Sequence, residues 1–238
     1  MTKKALVFGA TGFTGRELVR ELVQKGVPTI AHIRPDSPRL AEWQARFQKM
    51  GARADTTPWD EDLMAKTFAS IQPDFVFGLL GTTRARIKQA AGQGKDSKTQ
   101  DYMAVDYGLT ALLITAIQSA TIKPRFVYLS AAGADKPGTS PYGKARYLAE
   151  QTVLNSGIPF IVCRPSFIIG PGRDDKRTSE FIGAKMIDGL LYIPALLGMK
   201  KFRERYRSTT NIILARSLVR IALDPNSANK IFESENLR

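Results

Sequence analysis

Three glycines, Gly9, Gly12 and Gly15, stand where the apolar run Lys4-Ala5-Leu6-Val7-Phe8 passes into a helical pattern with Leu18, Val19, Leu22 and Val23 on one face. Strand, glycine turn and helix in that order form a seat for a dinucleotide pyrophosphate. The first glycine permits the tight turn, the second lets the backbone approach the phosphates, and the third lets the helix pack closely on the strand. The helix N-terminus then offers unpaired N–H groups and a partial positive charge to the anion. Gly9, Thr11, Gly12, Phe13, Thr14 and Gly15 are therefore the candidate cofactor loop. The alternative is a plain glycine turn.

The end of the second apolar run carries the next chemical signal. In folds of this kind an acidic residue there bonds the ribose 2′-hydroxyl of NAD, whereas an arginine accommodates the 2′-phosphate of NADP. The run ends Ala31-His32-Ile33-Arg34-Pro35, so Arg34 holds the diagnostic place and Asp36 lies beyond the proline. A guanidinium offers two parallel donors to a phosphate. The expectation is NADP in preference to NAD. Asp55, after the third run, is placed to accept from the adenine amino group, and Gly81, Thr82 and Thr83 end the fourth run beside the middle and nicotinamide half of the cofactor. A turn-starting Asp and an ordinary strand-to-loop turn are the structural alternatives. His32 either flanks the adenine or is buried by the alternation of its strand.

Positioning these residues requires a regular frame. Strand-like runs occupy 4–9, 28–33, 51–55, 73–80, 124–130 and 158–164, with helical patterns near 13–25, 38–50, 60–70, 100–121 and 141–156 and a last helix from Ile212 to Leu223. Such alternation predicts an α/β fold with a parallel sheet between helices on both faces. Residues 84–100 form a polar stretch, and 171–208, rich in glycine and proline, read as a small irregular cap within a single domain. The one cysteine, Cys163, lies in an apolar run and reads as buried, and one histidine gives no basis for a zinc site. No apolar run reaches the length of a membrane span, and the N-terminal run is too short and glycine-broken for a signal peptide, so the expected location is cytoplasmic. The net charge of +13 points to small anions before polyanions. No nucleic-acid-binding motif accompanies it, so a nucleic-acid partner is not expected.

Ser130 closes the fifth run, and Tyr142 follows near the start of a helix in Ser140-Pro141-Tyr142-Gly143-Lys144-Ala145-Arg146. With the spaced glycines, the Ala149-Glu150 pair and the run Cys163-Arg164-Pro165-Ser166-Phe167-Ile168-Ile169-Gly170-Pro171-Gly172, the whole chain resembles the short-chain dehydrogenase/reductase superfamily in its atypical and extended branches. Leu80-Gly81-Thr82-Thr83-Arg84 and Leu129-Ser130-Ala131-Ala132-Gly133-Ala134-Asp135-Lys136 look more narrowly like its Tat-interacting-protein-like members. The resemblance implies a doubly wound parallel sheet (Rossmann fold) with a reduced cap. It implies that Pro165 and Phe167 pack beside the nicotinamide. It also implies that Ser130 and Tyr142 contact the substrate oxygen, with Tyr142 exchanging the proton. In the superfamily a lysine four residues after the tyrosine assists the phenol and holds the nicotinamide ribose. Here that place is Arg146, while Lys144 falls on roughly the opposite helix face. Arg146 keeps the charge on the correct face but cannot relay a proton as an ammonium does.

These residues frame three functions. The first is an NADP-dependent oxidoreductase on a small carbonyl or alcohol, with Tyr142 as acid/base, Ser130 as orienting donor and Arg146 as electrostatic partner. The second is a non-catalytic NADP-binding regulator or assembly factor. The third is a nucleotide-sugar epimerase or dehydratase, which the small cap disfavours. The cap's aromatic and basic residues suit an anionic or aromatic small molecule, and a homodimer is compatible with the sequence.

Overall fold

In the computed structural model, residues 3–83, 87, 88, 92, 101–170 and 207–238 are described. Seven parallel strands form the central sheet: β1 (Ala5–Phe8), β2 (Thr29–His32), β3 (Arg53–Asp55), β4 (Phe75–Gly78), β5 (Arg125–Leu129), β6 (Phe160–Arg164) and β9 (Lys230–Glu233). Their order is β3-β2-β1-β4-β5-β6-β9. The two short strands β7 (Ile168–Ile169) and β8 (Thr209–Thr210) pair separately. Among the described residues, the helices of ten residues or more are α1 (Gly15–Gln24), α2 (Leu40–Met50), α3 (Glu61–Ile71), α4 (Leu109–Ser119), α5 (Pro141–Leu154) and α6 (Asn211–Leu223). A π-helical turn, Met103–Gly108, leads into α4.

Why the central strands carry unbroken apolar runs is visible in their side chains. In β1, Ala5 and Val7 join a core with Leu18 and Leu22 of α1, Trp43 and Phe47 of α2, and Leu214 and Leu218 of α6. Leu6 and Phe8 point to the opposite face, where Phe68 of α3, Leu113 and Ile117 of α4 and Val153 of α5 meet them. The central strands β1, β4, β5 and β6 therefore carry apolar residues at consecutive positions, not at alternate ones. Cys163 is buried in the first of these cores, and desolvation pushes its thiol well up from its ordinary value, so it is inert packing.

Three helix starts are fixed by their own sequence. The side chains of Asp60, Ser140 and Thr210 accept from the N–H groups of Leu63, Gly143 and Ile213, and Pro141 occupies the first turn of α5. The six expected strands all form, each trimmed at one or both ends. The helix expected over 100–121 is instead the π-helical turn followed by α4. Strands β7, β8 and β9 were not expected. Two are only two residues long, and the third, Lys-Ile-Phe-Glu at the sheet edge, lacks a continuous apolar run. The cap expected over 171–208 lies, apart from Arg207 and Ser208, outside the described residues.

Candidate functional site

The strand order reverses between β1 and β4, which opens a crevice at the carboxyl ends of those strands, and the glycine loop sits in it. Gly9 has φ +77°, and a Cβ there would lie 2.4 Å from the carbonyl oxygen of Leu79 just past β4. A Cβ on Gly15 would lie 2.1 Å from the oxygen of Gly9. Both positions exclude a side chain because strand, turn and helix crowd together. The N–H of Gly12 donates to Gly9 O at 2.9 Å, closing the turn. Among the described residues no hydrogen bond takes up the N–H groups of Thr14 and Gly15. Thr11, Gly12 and Phe13 are half-buried.

Arg34 leaves the carboxyl end of β2 with its Nε 3.6 Å from Asp36 Oδ1, the two side chains being 42% and 60% exposed. An ion pair that open contributes about 0–1 kcal/mol, so a phosphate can compete for the guanidinium. Asp55 ends β3, but its carboxylate already accepts from the hydroxyl and N–H of Thr57, at 2.8 and 3.3 Å. His32 is buried between Phe8 and Trp59, with ring centroids 4.9 and 4.7 Å away, and its Nε2 lies 2.8 Å from the Thr57 carbonyl. Desolvation lowers its pKa against the opposing pull of that carbonyl and of Asp55. The ring is thus a neutral core group beneath the crevice, with the proton on Nε2 assigned by its carbonyl partner.

The far half of the crevice is built on a buried cation. Arg146, on α5, threads between the ends of β4 and β5. Its Nη1 donates to the Leu129 carbonyl at 2.8 Å and to the Tyr128 hydroxyl at 3.3 Å, and its Nη2 donates to the Leu80 carbonyl at 3.1 Å. Nη2 also lies 3.0 Å from Asp106 Oδ1, inside the π-helical turn. The other Asp106 oxygen accepts from the N–H of Thr82 at 2.9 Å. Burial pushes the Asp106 carboxyl up, opposed by Arg146 and the Thr82 N–H. A Cβ on Gly81 would lie 2.5 Å from Arg146 Nη2, so glycine there makes room for the guanidinium. The Tyr142 ring covers this cation at 5.4 Å from ring centroid to guanidinium carbon, meets Tyr102 edge-on and is 37% exposed. Thr83 follows at the described edge of this loop.

Ser130 belongs to a second buried network. Its hydroxyl donates to Glu150 Oε2 at 2.7 Å. Glu150, with no exposed surface, also takes the Nε and Nη2 of Arg164, whose Nη1 reaches Glu233 at 2.8 Å. Among the described residues no hydrogen bond joins Ser130 to Tyr142. Pro165 accepts from the N–H of Ala132 at 3.0 Å, and the carbonyl of Phe167 accepts from the N–H of Thr209 at 2.9 Å. The Phe167 side chain is 46% exposed.

The structure therefore brings Tyr142 and Arg146 into contact, places Gly81 against Arg146 and Thr82 against its partner Asp106, and spends the Ser130 proton on Glu150. Asp106 was missed by sequence reasoning, as was the pairing of Glu150 with Arg164. The available signal was a lone charge inside an apolar stretch: Asp106 before the apolar helix, and Arg164 ending an apolar strand. Two such opposite charges imply buried partners.

Among curated proteins, the chain is 28% identical over 185 residues to Protein FMP52, mitochondrial, of Coccidioides immitis, covering 73% of this chain and 69% of that one. It is 28% identical over 172 residues to the mitochondrial NADH dehydrogenase [ubiquinone] 1 alpha subcomplex subunit 9 of Arabidopsis thaliana (70% of this chain) and 27% identical over 175 residues to the ceramide reductase of Caulobacter vibrioides (70% of this chain). Those two matches span only 38% and 46% of the relatives' lengths. Among solved structures, a Bacillus halodurans protein described as an NAD-dependent epimerase/dehydratase superposes with TM-score 0.67 at 17% identity, over 99% of this chain and 98% of that one. The Bordetella bronchiseptica enzyme WbmH, solved with NAD+, gives 0.63 at 16% identity, over 94% and 72%. These likenesses establish the doubly wound fold. Among the described residues no helix is long and apolar enough to cross a membrane. A family model aligns with residues 5–191, from the first strand past the glycine loop, Ser130, Tyr142 and Phe167, and on that match the chain is a member of the NAD dependent epimerase/dehydratase family.

Proposed function

We propose that this protein is an NADP-dependent oxidoreductase acting on a small carbonyl or alcohol. The observation that carries the reading is the exposed Tyr142 phenol lying over the buried Arg146 guanidinium at the carboxyl edge of the sheet. A phenol titrates near ~10 in water and needs a cation beside it to exchange a proton at neutral pH. Arg146 supplies a permanent charge at that place, fixed by two backbone carbonyls and Asp106. NAD(P) carries the hydride when bound. The chain's own residues seat the pyrophosphate at Gly9–Gly15, hold the 2′-phosphate at Arg34 and present the phenol to the substrate oxygen. In this arrangement Ser130 serves as an acceptor for the phenol or substrate hydroxyl, because Glu150 takes its proton.

One observation favours the regulator reading. Three of the five N–H bonds of Arg146 go to the Leu129, Tyr128 and Leu80 oxygens, Nη2 also sits beside Asp106, and the Nε is buried without a hydrogen-bond partner among the described residues, so the guanidinium is held by protein and not presented to a ribose. A relative that is a named subunit of a respiratory dehydrogenase is in keeping with such a role. Fluorescence titration with NADPH and NADH, followed by NADPH oxidation across a panel of aldehydes and ketones, separates the two. Turnover with any carbonyl supports the enzyme. Tight NADPH binding without turnover across the panel overturns it in favour of the regulator.

The cofactor preference has its own test. NADPH should bind more tightly than NADH. Arg34→Asp should remove a charge-assisted phosphate contact of about 1.5–3 kcal/mol, shrinking or reversing the preference. A wild type that binds NADH more tightly sinks the selectivity reading and leaves the fold reading intact.

A further inference from the structure

The β7–β8 pair meets the glycine loop at Asn211. Asn211, the first residue of α6, is 2% exposed, and its Nδ2 donates to the carbonyl of Phe13 at 3.2 Å across 198 residues of sequence. Its Oδ1 is buried with no hydrogen-bond partner among the described residues. The reversed amide would set two oxygens against each other at Phe13, so the assignment follows from the bond itself. Gly170, at φ +139°, presses on the other side: a Cβ there would lie 2.2 Å from Asn211 Oδ1 and 3.4 Å from the Phe13 ring. The amide is therefore clamped between the β7 end and the loop.

The consequence comes from the planarity of the peptide. The carbonyl of Phe13 and the N–H of Thr14 belong to one rigid unit and point in opposite directions. Holding that carbonyl against Asn211 turns the Thr14 N–H away from α6, and this N–H has no acceptor among the described residues. We propose that Asn211 is a positioning residue for the cofactor pyrophosphate, fixing the Phe13–Thr14 peptide so that the Thr14 N–H donates to a phosphate oxygen. The inference rests on the reading that the glycine loop seats a dinucleotide. It adds a residue from the far end of the chain, outside the loop itself, and makes phosphate affinity depend on how the β7–β8 pair is closed.

The test uses the full chain with two probes, NADPH and adenosine 2′-monophosphate. The second carries the adenine and the 2′-phosphate without the pyrophosphate. Asn211→Leu removes the donor, Asn211→Asp replaces it with an oxygen, and Gly170→Ala pushes the amide aside while leaving it in place. Each should raise the Kd for NADPH about three- to tenfold, the scale of one neutral hydrogen bond, with the aspartate the largest. The Kd for adenosine 2′-monophosphate should not move. If one variant does not fold, the other two still decide the matter. An unchanged NADPH affinity, or an equal loss for both probes, overturns the inference. A wild type that prefers NADH fails the selectivity reading alone, and the comparison then runs on NADH against adenosine with the same two outcomes. A wild type that binds neither dinucleotide overturns the seat and the inference together.

Discussion

Replacing Tyr142 by phenylalanine should lower kcat about 10²- to 10⁴-fold, the usual contribution of a positioned general acid or base. The affinity for NADPH should stay nearly constant, because the phenol acts on charge that develops only in the transition state. The fold should also survive. Tyr142 is 37% exposed, and phenylalanine keeps the ring contacts with Arg146 and Tyr102. A matching loss of NADPH affinity would mean that Tyr142 binds cofactor and does not transfer a proton. Arg146→Lys sharpens the comparison. Lysine keeps the charge opposite Asp106 but gives up the planar fork that serves the Leu80 and Leu129 carbonyls. If the charge is what the phenol needs, activity should be kept or gained while the melting temperature falls. Loss of both activity and stability would point to Arg146 as a structural brace.

Much of the frame was legible because it depends on local rules. Consecutive apolar residues such as Leu6-Val7-Phe8 mark a strand covered on both faces, and Gly9 and Gly15 mark places where a Cβ would strike backbone. The site was legible in part. Tyr142 and Arg146 are one turn apart on one helix, so their contact follows from helix geometry. What Arg146 does with its N–H groups was not readable. Its partners Leu80, Asp106, Tyr128 and Leu129 come from three other elements and meet only when the sheet closes. The hydroxyl of Ser130 was read as a donor for the substrate, since nothing in the sequence says that Glu150, twenty residues later, turns inward. The second strand's histidine shows the same limit. Alternation left its direction open, and packing against Phe8 and Trp59 decided it.

Glu150 is where a single substitution should cost the most stability. It is fully buried, accepts from Ser130, and pairs through two oxygens with Arg164, which is itself nearly enclosed. Removing one partner of a buried ion pair leaves a desolvated charge, at a cost of about 3–5 kcal/mol. Glu150→Leu should fall near the lower end, because Glu233 still holds the Arg164 Nη1. Glu150→Gln keeps the shape and an acceptor for Ser130, so it should lose less. The double variant Glu150→Leu with Arg164→Leu removes both charges and should recover most of the loss, since an apolar pair is often as stable as a buried ionic one. Urea unfolding of the wild type, Glu150→Leu, Arg164→Leu and the double variant gives the coupling directly. Additive losses in the double variant, or a Glu150→Leu cost below about 1 kcal/mol, would show that water or Glu233 already satisfies Arg164.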